Sequence, residues 1–559
     1  VEEGKAFIST MLRIYHETEE RMRILIKNAT IIDGTNTNSY MGNIFIENKR
    51  IAAIGDLNFI DESIALNVKV INAAGLIVSP GFIDTHSHSD LKALTEPDVL
   101  PKLMQGITTE VLGQDGISMA PLPIPYIKAW RKNLAGLDGE SNEINWEYET
   151  TKNYLSMLEQ AKPALNESYL LPHGNVRMEA MGLEDREPSE EEIKKMCEIT
   201  RREMQSGCLG LSSGLIYMPC AYSNTRELIE ICKVVAEYDG VFVVHQRSEA
   251  DTIIESMKEI IQIGKQSGVR IHFSHFKVCG KKNWKYLDEM LDLLESAQKE
   301  GITVSLDQYP YVAGSTMLSV ILPPWVHDGG TDQLVERLKS KELRERMKQD
   351  IKNEIPGWDN FIDFAGVEGI YVTSVATDQN KDAVGLSLLQ LGELRNKEPL
   401  EAAFDLLLEE ENAVGMVDFY GLEEHVIKIM KRRETNICTD GLLSGTPHPR
   451  VYGSFPRVLG KYLREEKVLT IEEAVHKMTG KAAAALNIKE RGFLKAGYYA
   501  DITIWNPDTI IDKGTFENPK QYPDGIAYVI VNGEIAVENG KYTKNRSGMV
   551  IRRSVTVEQ

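Results

Sequence analysis

Eight short apolar runs that alternate with helical stretches constrain this chain more than any other feature. The runs lie at 77–84, 108–113, 169–172, 207–212, 241–244, 270–273, 303–306 and 435–438. Strand-length runs alternating with amphipathic helices are the pattern of a parallel β/α architecture, and eight such units close a barrel. Helices are expected between them at 190–205, 225–238, 251–267 and 286–300, several ending near glycine. Segments of a different texture bracket this region. Residues 22–75 and 491–545 carry alternating or β-branched runs separated by Gly, Asn and Asp, with a hairpin signal at Asn532-Gly533. They are expected to form one discontinuous β-sandwich domain built from both ends of the chain. The interval from 317 to 434 is too long for a single barrel unit. We therefore expect an inserted subdomain at 318–395, covering the pocket, with the barrel at 76–317 and 396–490. The expected fold is a distorted (β/α)8 TIM barrel with a discontinuous N/C-terminal β-sandwich domain and this insertion. Residues 1–21 are expected to be an N-terminal extension and 546–559 a C-terminal tail.

Charge and cysteine usage narrow the partners. Among 559 residues, 63 Lys and Arg face 83 Asp and Glu, a net charge of −20. That balance argues against a nucleic-acid or anionic-membrane surface, so a site for an anionic ligand must concentrate a few cations locally. The six cysteines are scattered without a C-x-x-C pair, which indicates neither a disulfide framework nor a thiolate zinc site. No apolar run approaches a membrane span. A cytoplasmic location is expected.

In a β/α barrel the chemistry sits just beyond the C-terminal ends of the strands. The first candidate strand, in LIVSPGFIDTHSHSD, ends in His86-Ser87-His88. Side chains two apart on a strand face the same way, so His86 and His88 converge. Taken alone, an H-x-H pair more often only satisfies local hydrogen bonds. The second strand ends in Gly113-Gln114-Asp115-Gly116, where flanking glycines allow a sharp turn that can aim the Asp115 carboxylate into the mouth. The fifth, VFVVHQRSE, delivers His245; the sixth, VRIHFSHFK, delivers His275; the eighth, NICTDGLLSG, delivers Asp440. Four imidazoles and two carboxylates at the ends of five strands suit one or two zinc-like ions with a position open for water. Asp440 is placed to take a proton from that water and hand it to a leaving nitrogen. His272, three before His275, is assigned to packing. His173 is a candidate contact behind the site or to substrate, and His448 a weaker one. Arg177 and Arg247 are expected to orient loops through ion pairs.

Several motifs, in order, resemble the D-aminoacylase (N-acyl-D-amino-acid deacylase) group of the amidohydrolase superfamily: GFIDTHSHSD, GLIYMPCAYSNTREL, VVHQRSE, IHFSHFK, QYPYVAGST, TDG, HPRVYGSFPRVLG and KAGYYADITIWNP. The resemblance runs from about residue 22 to about residue 541. It implies a β/α barrel with a β-sandwich cap and a segment covering the pocket. It also implies metal-dependent hydrolysis of the amide of an N-acyl-D-amino acid, a small-molecule substrate. By resemblance, His245 and His275 would bind a tight zinc, and His86, His88 and Asp440 would surround a weaker position. Tyr217, Lys277, Ser315 and Arg450 would hold the substrate, with Lys277 and Arg450 suited to its carboxylate. In one place the chain departs from the pattern: members of the group have a cysteine ligand where this chain has Asp115. A carboxylate can bind one ion or bridge two, and as a harder ligand than thiolate it widens metal choice toward manganese or cobalt. A related reaction on a cyclic amide such as a hydantoin, or on a dipeptide, stays open at this level. A scaffold barrel that had lost its chemistry should have lost ligands, and here every position is filled.

Overall fold

The computed structural model of the protein describes residues 22–55, 68–353 and 355–553. At its centre eight parallel strands form a barrel: β1 (Phe82–Asp84), β2 (Ile107–Leu112), β3 (Asn166–Tyr169, continued by Leu171–Pro172), β4 (Gly210–Gly214), β5 (Val241–His245), β6 (Arg270–Phe273), β7 (Val304–Gln308) and β8 (Thr435–Ile437). Each pairs in parallel with the next in this order. The ring closes where Gly441–Leu442 pairs with Ser87–His88 and Asp440 N donates to His86 O at 2.8 Å. Nearly every barrel-strand residue is buried, as expected of parallel strands covered on both faces.

The helices between strands start and stop where their local chemistry directs. Glu190–Gln205 opens on a capping box, Ser189 with Glu192. Thr225–Glu237 is capped by the Asn224 side chain. Ile253–Ser267 ends on Gly268, whose φ of 75° is left-handed. These helices bury their apolar faces against the strands in one large core that includes Met196, Leu228, Ile260, Phe242, Val244 and Phe273.

Both ends of the described chain build a single nine-stranded sheet. In spatial order it runs Lys541–Tyr542, Glu534–Glu538, Ile526–Val531, Ile502–Trp505, Ile77–Pro80, Arg23–Ile31, Tyr40–Glu47 and Arg50–Gly55, with Val68–Asn72 also paired to Arg23–Ile31. It encloses a core of its own around Ile26, Ile44, Ile71, Val78, Ile502 and Ile530. One expectation is corrected here. The run at 77–84 is two strands in two sheets: Ile77–Pro80 belongs to the terminal sheet, and the barrel begins at Phe82. The chain changes sheets at Gly81, where a Cβ would stand 2.2 Å from the Thr108 side chain. Apolarity alone does not say which sheet a buried strand joins.

The insertion also differs from its expected limits. Ala313–Met317, Val414–Phe419 and Ile370–Val375 form a small antiparallel sheet with Val414–Phe419 in the middle. Leu334, Met347, Leu391, Phe404, Leu406 and Met416 share its core. Thus Pro399–Glu409 and the strand after it pack in the insertion instead of returning to the barrel at 396, and the chain rejoins the barrel through Glu423–Met430. A helical pattern shows that a face will be buried, not against which neighbour. The described part of the 546–559 segment is not a free tail. Glu167 N donates to Met549 O, Ile551 N to Glu167 O and Arg553 N to Gly207 O, so the segment runs alongside β3. Residues 1–21 lie outside the described residues. Among those described, no helix is long and apolar enough to cross a membrane.

Candidate metal centre and substrate cavity

His86, His88, Asp115, His245, His275 and Asp440 meet at the C-terminal mouth of the barrel, and all are buried. The turns that deliver three of them leave ordinary backbone space. Asp115, His275 and Asp440 have φ values of 54°, 32° and 47°, a region non-glycine residues enter at some cost and often at functional sites. Around Asp115 the turn needs its glycines. A Cβ at Gly113 would fall 2.2 Å from Leu170 O, and one at Gly116 would fall 2.8 Å from Ser213 Cα.

The six side chains form two overlapping sets. His245 Nδ1 and His275 Nε2 approach to 2.9 Å. His88 Nε2 lies 3.4 Å from Asp440 Oδ1, and His86 Nε2 lies 3.7 Å from the same oxygen. Asp115 stands between the sets: its Oδ1 is 3.6 Å from His86 Nε2 and 3.7 Å from His275 Nε2, while its Oδ2 is 3.4 Å from His88 Nε2. One carboxylate therefore faces both sets, as a bridging ligand must. Within them, His86, Asp115 and His275 bring ligand atoms within 4.8 Å of one another, and so do His86, His88 and Asp440.

Their unmet bonding shows what fits. Both ring nitrogens of His86, Asp115 Oδ1 and His245 Nε2 are buried without a hydrogen-bond partner among the described residues. Buried polar atoms are rarely left so, and imidazole nitrogens and carboxylate oxygens converging on one point are what a divalent transition metal takes up. Burial lowers the His88 pKa, but Asp115 and Asp440 reverse this and drive it up to about 10. The local excess of negative charge calls for a cation. Burial would raise the Asp440 pKa, yet the Arg450 charge, with the nearby histidines, holds it far below the usual carboxylate range.

A shell of hydrogen bonds fixes the ligands from behind. Asp84 Oδ1 accepts from Thr439 N at 2.8 Å and from His86 N at 3.4 Å, tying β1 to the end of β8. Buried Lys102 donates to Asp84 Oδ2 at 2.7 Å and Ser87 Oγ at 2.8 Å. Asp307 accepts the His275 backbone N–H at 2.5 Å, the Thr85 hydroxyl at 2.9 Å, and hydrogen-bonds with His272 Nε2 at 2.9 Å. His272, expected to pack, thus packs as a polar pillar of the barrel interior. His173 hydrogen-bonds with Ser213 at 2.9 Å and Glu227 at 2.8 Å, and Arg177 pairs with the same Glu227. Neither lines the cavity beside the ligands. Arg247 pairs with Glu259 at 2.9 Å, an ion pair of the expected loop-orienting kind.

The residues expected to hold substrate are placed with mixed outcomes. Tyr217, Lys277 and Ser315 line a narrow cavity over the ligands, with about 30 Å³ of open space. The Tyr217 hydroxyl is 2.9 Å from Thr316 Oγ1, and burial with nearby Asp115 keeps it protonated. Lys277 Nζ sits 2.6 Å from Glu249 Oε2 and 2.9 Å from His275 Nδ1. Ser315 Oγ donates to Met416 O at 2.8 Å. Arg450 is fully buried over the Tyr309 ring, its Nη1 2.8 Å from Asp440 Oδ2 in an ion pair off the hydrogen-bond axis. His448 supports it, accepting from Arg450 N at 2.9 Å. Sequence reasoning missed Glu249, which lies 3.2 Å from His275 Nδ1. A signal was present, since Glu249 follows His245 by four in VVHQRSE, but only the fold turns it toward β6. It also missed Asp359 and Asp418 in the cavity wall, for which no local signal exists.

The chain is similar to known proteins over most of its length. The amidohydrolase family model matches residues 69–312 and 435–537, and the unmatched interval spans the insertion. The chain is 34% identical to a D-aminoacylase of Alcaligenes xylosoxydans xylosoxydans over 95% of this chain and 98% of that protein. It superposes with a TM-score of 0.79 on the N-acyl-D-glutamate deacylase of Bordetella bronchiseptica, complexed with zinc and a phosphonate inhibitor, at 30% identity and covering 95% and 100% of the two chains. A D-aminoacylase structure that addresses the role of its binuclear metal centre is similar at a TM-score of 0.79 and 33% identity, covering 95% and 99%.

Proposed function

From the premise that this chain belongs to the amidohydrolase family, in its D-aminoacylase group, we propose that it hydrolyses the amide of N-acyl-D-amino acids, releasing a carboxylate and a free D-amino acid. The observation that carries this reading is the meeting of four histidines and two aspartates, with orphaned ligand atoms, at the mouth of the barrel. His245, His275 and Asp115 would hold one ion, and His86, His88 and Asp440, with Asp115 between, a second. Zinc suits these donors, and the Asp115 carboxylate admits manganese or cobalt as well. Such an ion supplies Lewis acidity, which makes water acidic near neutral pH and polarises the amide carbonyl. The rest falls to the chain. Asp440, kept ionised by Arg450, takes the proton from water and returns it to the leaving nitrogen. Tyr217, kept protonated, can donate to the developing oxyanion. Lys277 and Arg450 are the cations at hand for the substrate's α-carboxylate, each exchanging part of its pairing with Glu249 or Asp440 for the ligand. The free thiols of the described chain suit a reducing compartment such as the cytoplasm.

The test is a panel of N-acetyl-D-amino acids, their L-enantiomers and cyclic amides, assayed with protein reconstituted with zinc, manganese or cobalt. The D-compounds are expected to exceed the others in kcat/KM by at least about 100-fold. Hydrolysis of hydantoins without hydrolysis of acyl-D-amino acids would overturn the proposal. Glu249 offers a narrower check. With Oε1 3.2 Å from His275 Nδ1 and Oε2 2.6 Å from Lys277 Nζ, which itself reaches Nδ1, Glu249 would help to aim Nε2 at the ion, as a carboxylate behind a metal histidine does. Glu249→Gln is therefore expected to weaken metal affinity by about 10–100-fold, read by titrating apoprotein with zinc. An unchanged affinity would show that His275 is oriented by Lys277 and the backbone alone.

A further inference from the structure

The cavity wall carries an acid that the proposed chemistry does not use. Asp418 lies on Val414–Phe419, directly opposite Gly314 in the antiparallel register. Gly314 leaves room for the carboxylate, since a Cβ there would stand 3.0 Å from Asp418 Oδ1. Asp418 is only 2% exposed and lines the same cavity as His88, His275 and Asp440. Its Oδ2 has no hydrogen-bond partner, and among the described residues no cation pairs with it. A buried carboxylate in that state is unfavourable unless something supplies the missing charge or proton. Burial pushes its pKa up to about 7, with Lys277 and Arg450 pulling the other way.

The cations nearby already have carboxylate partners. Lys277 is 2.6 Å from Glu249, and Arg450 is 2.8 Å from Asp440. A larger adjoining cavity of about 350 Å³ shares Tyr217, Asp359 and Phe361 with the first. Its arginine, Arg247, is 2.9 Å from Glu259 and donates to the carbonyls of Ala221 and Ser223, each at 3.0 Å. Its histidine, His327, is kept neutral by burial, with a pKa of about 4. One substrate carboxylate can compete for Lys277 or Arg450. A second would meet Asp418 and Asp359, and among the described residues lining the two cavities each Lys or Arg is already paired with a carboxylate.

Resting on the deacylase reading above, we infer that Asp418 determines specificity at this site: it receives a positively charged ammonium or guanidinium of the substrate and turns away substrates with a second carboxylate. The charge sits either on the D-amino-acid side chain or on the acyl part, as the free amino group of a dipeptide, and the assay separates the two. Metal-loaded full-length wild type, Asp418→Asn and Asp418→Ser are compared on N-acetyl-D-lysine, glycyl-D-leucine, N-acetyl-D-leucine and N-acetyl-D-glutamate. In wild type, kcat/KM for a cationic substrate is expected to exceed that for N-acetyl-D-glutamate by at least about tenfold. Its ratio to N-acetyl-D-leucine is expected to fall by about tenfold in both variants, and the arm that falls, lysine or dipeptide, identifies the source of the charge. Turnover of the glutamate substrate equal to or better than that of both cationic ones, or an unchanged ratio in the variants, overturns this inference and leaves the deacylase reading standing. Turnover of none of the four by protein that holds its metal overturns both. Should neither variant fold, inhibition of wild type by the free amino acids decides. Tighter inhibition by D-lysine than by D-glutamate supports the inference, and the reverse or equality overturns it.

Discussion

Replacing Asp440 by asparagine is expected to lower kcat by roughly 10²–10⁴-fold, with a smaller effect on KM. The side chain sits at the end of β8 with one oxygen toward His86 and His88 and the other 2.8 Å from the Arg450 guanidinium. Arg450 keeps the group ionised, so it is available as a proton acceptor throughout the neutral range; asparagine keeps the shape and removes that capacity. The variant should retain the ion held by His245, His275 and Asp115, because those residues do not depend on Asp440 for position. Steady-state kinetics with metal analysis on the same preparation checks both statements. Activity within about tenfold of wild type would show that another group moves the proton.

Asp115 should be the residue whose loss is felt at both metal positions. Asp115→Ala is expected to reduce bound metal and to cut kcat/KM by roughly a thousandfold, equivalent to about 4 kcal/mol of transition-state stabilisation. Its two oxygens face His86 and His275 on one side and His88 on the other, so alanine removes the element shared by the two sets and leaves Asp440 as the one candidate carboxylate ligand, near His86 and His88 only. Asp115→Cys restores a charged ligand and should recover metal binding, with the range of activating metals shifted from manganese toward zinc, the softer partner of thiolate. Aspartate tolerates the left-handed φ at position 115 better than alanine or cysteine does, so the comparison of Asp115→Ala with Asp115→Cys is the one that isolates the ligand atom. Full metal content and full activity in Asp115→Ala would remove it from the ligand set. Chelation of wild type should abolish turnover, and added zinc, manganese or cobalt should restore it.

Much of the site could be read from the chain because the barrel imposes a simple rule. Residues just past the C-terminal ends of parallel strands share one mouth, whatever their distance in sequence. His86, His88, Asp115, His245, His275 and Asp440 each follow a recognisable strand, so residue type and position were enough to bring them together. The helices were legible for a similar reason, since capping residues such as Ser189 and Asn224 act on their own neighbours. The resemblance of motifs added the chemistry. What failed were statements about which surface a buried face meets. The run at 77–84 reads as one apolar strand, yet it divides at Gly81 because Thr108, on a different strand, leaves room there only for a hydrogen. The helix Pro399–Glu409 has the same periodicity whether it covers the barrel or the insertion.

The sequence by itself therefore determined the β/α alternation, the terminal β segments, the presence of an insertion and the six candidate ligands, because these follow from local periodicity, turn chemistry and the direction of parallel strands. The tertiary structure alone decided how charges are paired. Glu249 partners Lys277 and His275, Arg450 partners Asp440, and Asp418 reaches the cavity across Gly314 with no hydrogen-bond partner for its Oδ2 among the described residues. These groups lie far apart along the chain or on different elements, and their interaction depends on distances of a few ångströms and on burial that removes water. Electrostatic energy is set by that geometry, and no pattern along a single chain contains it.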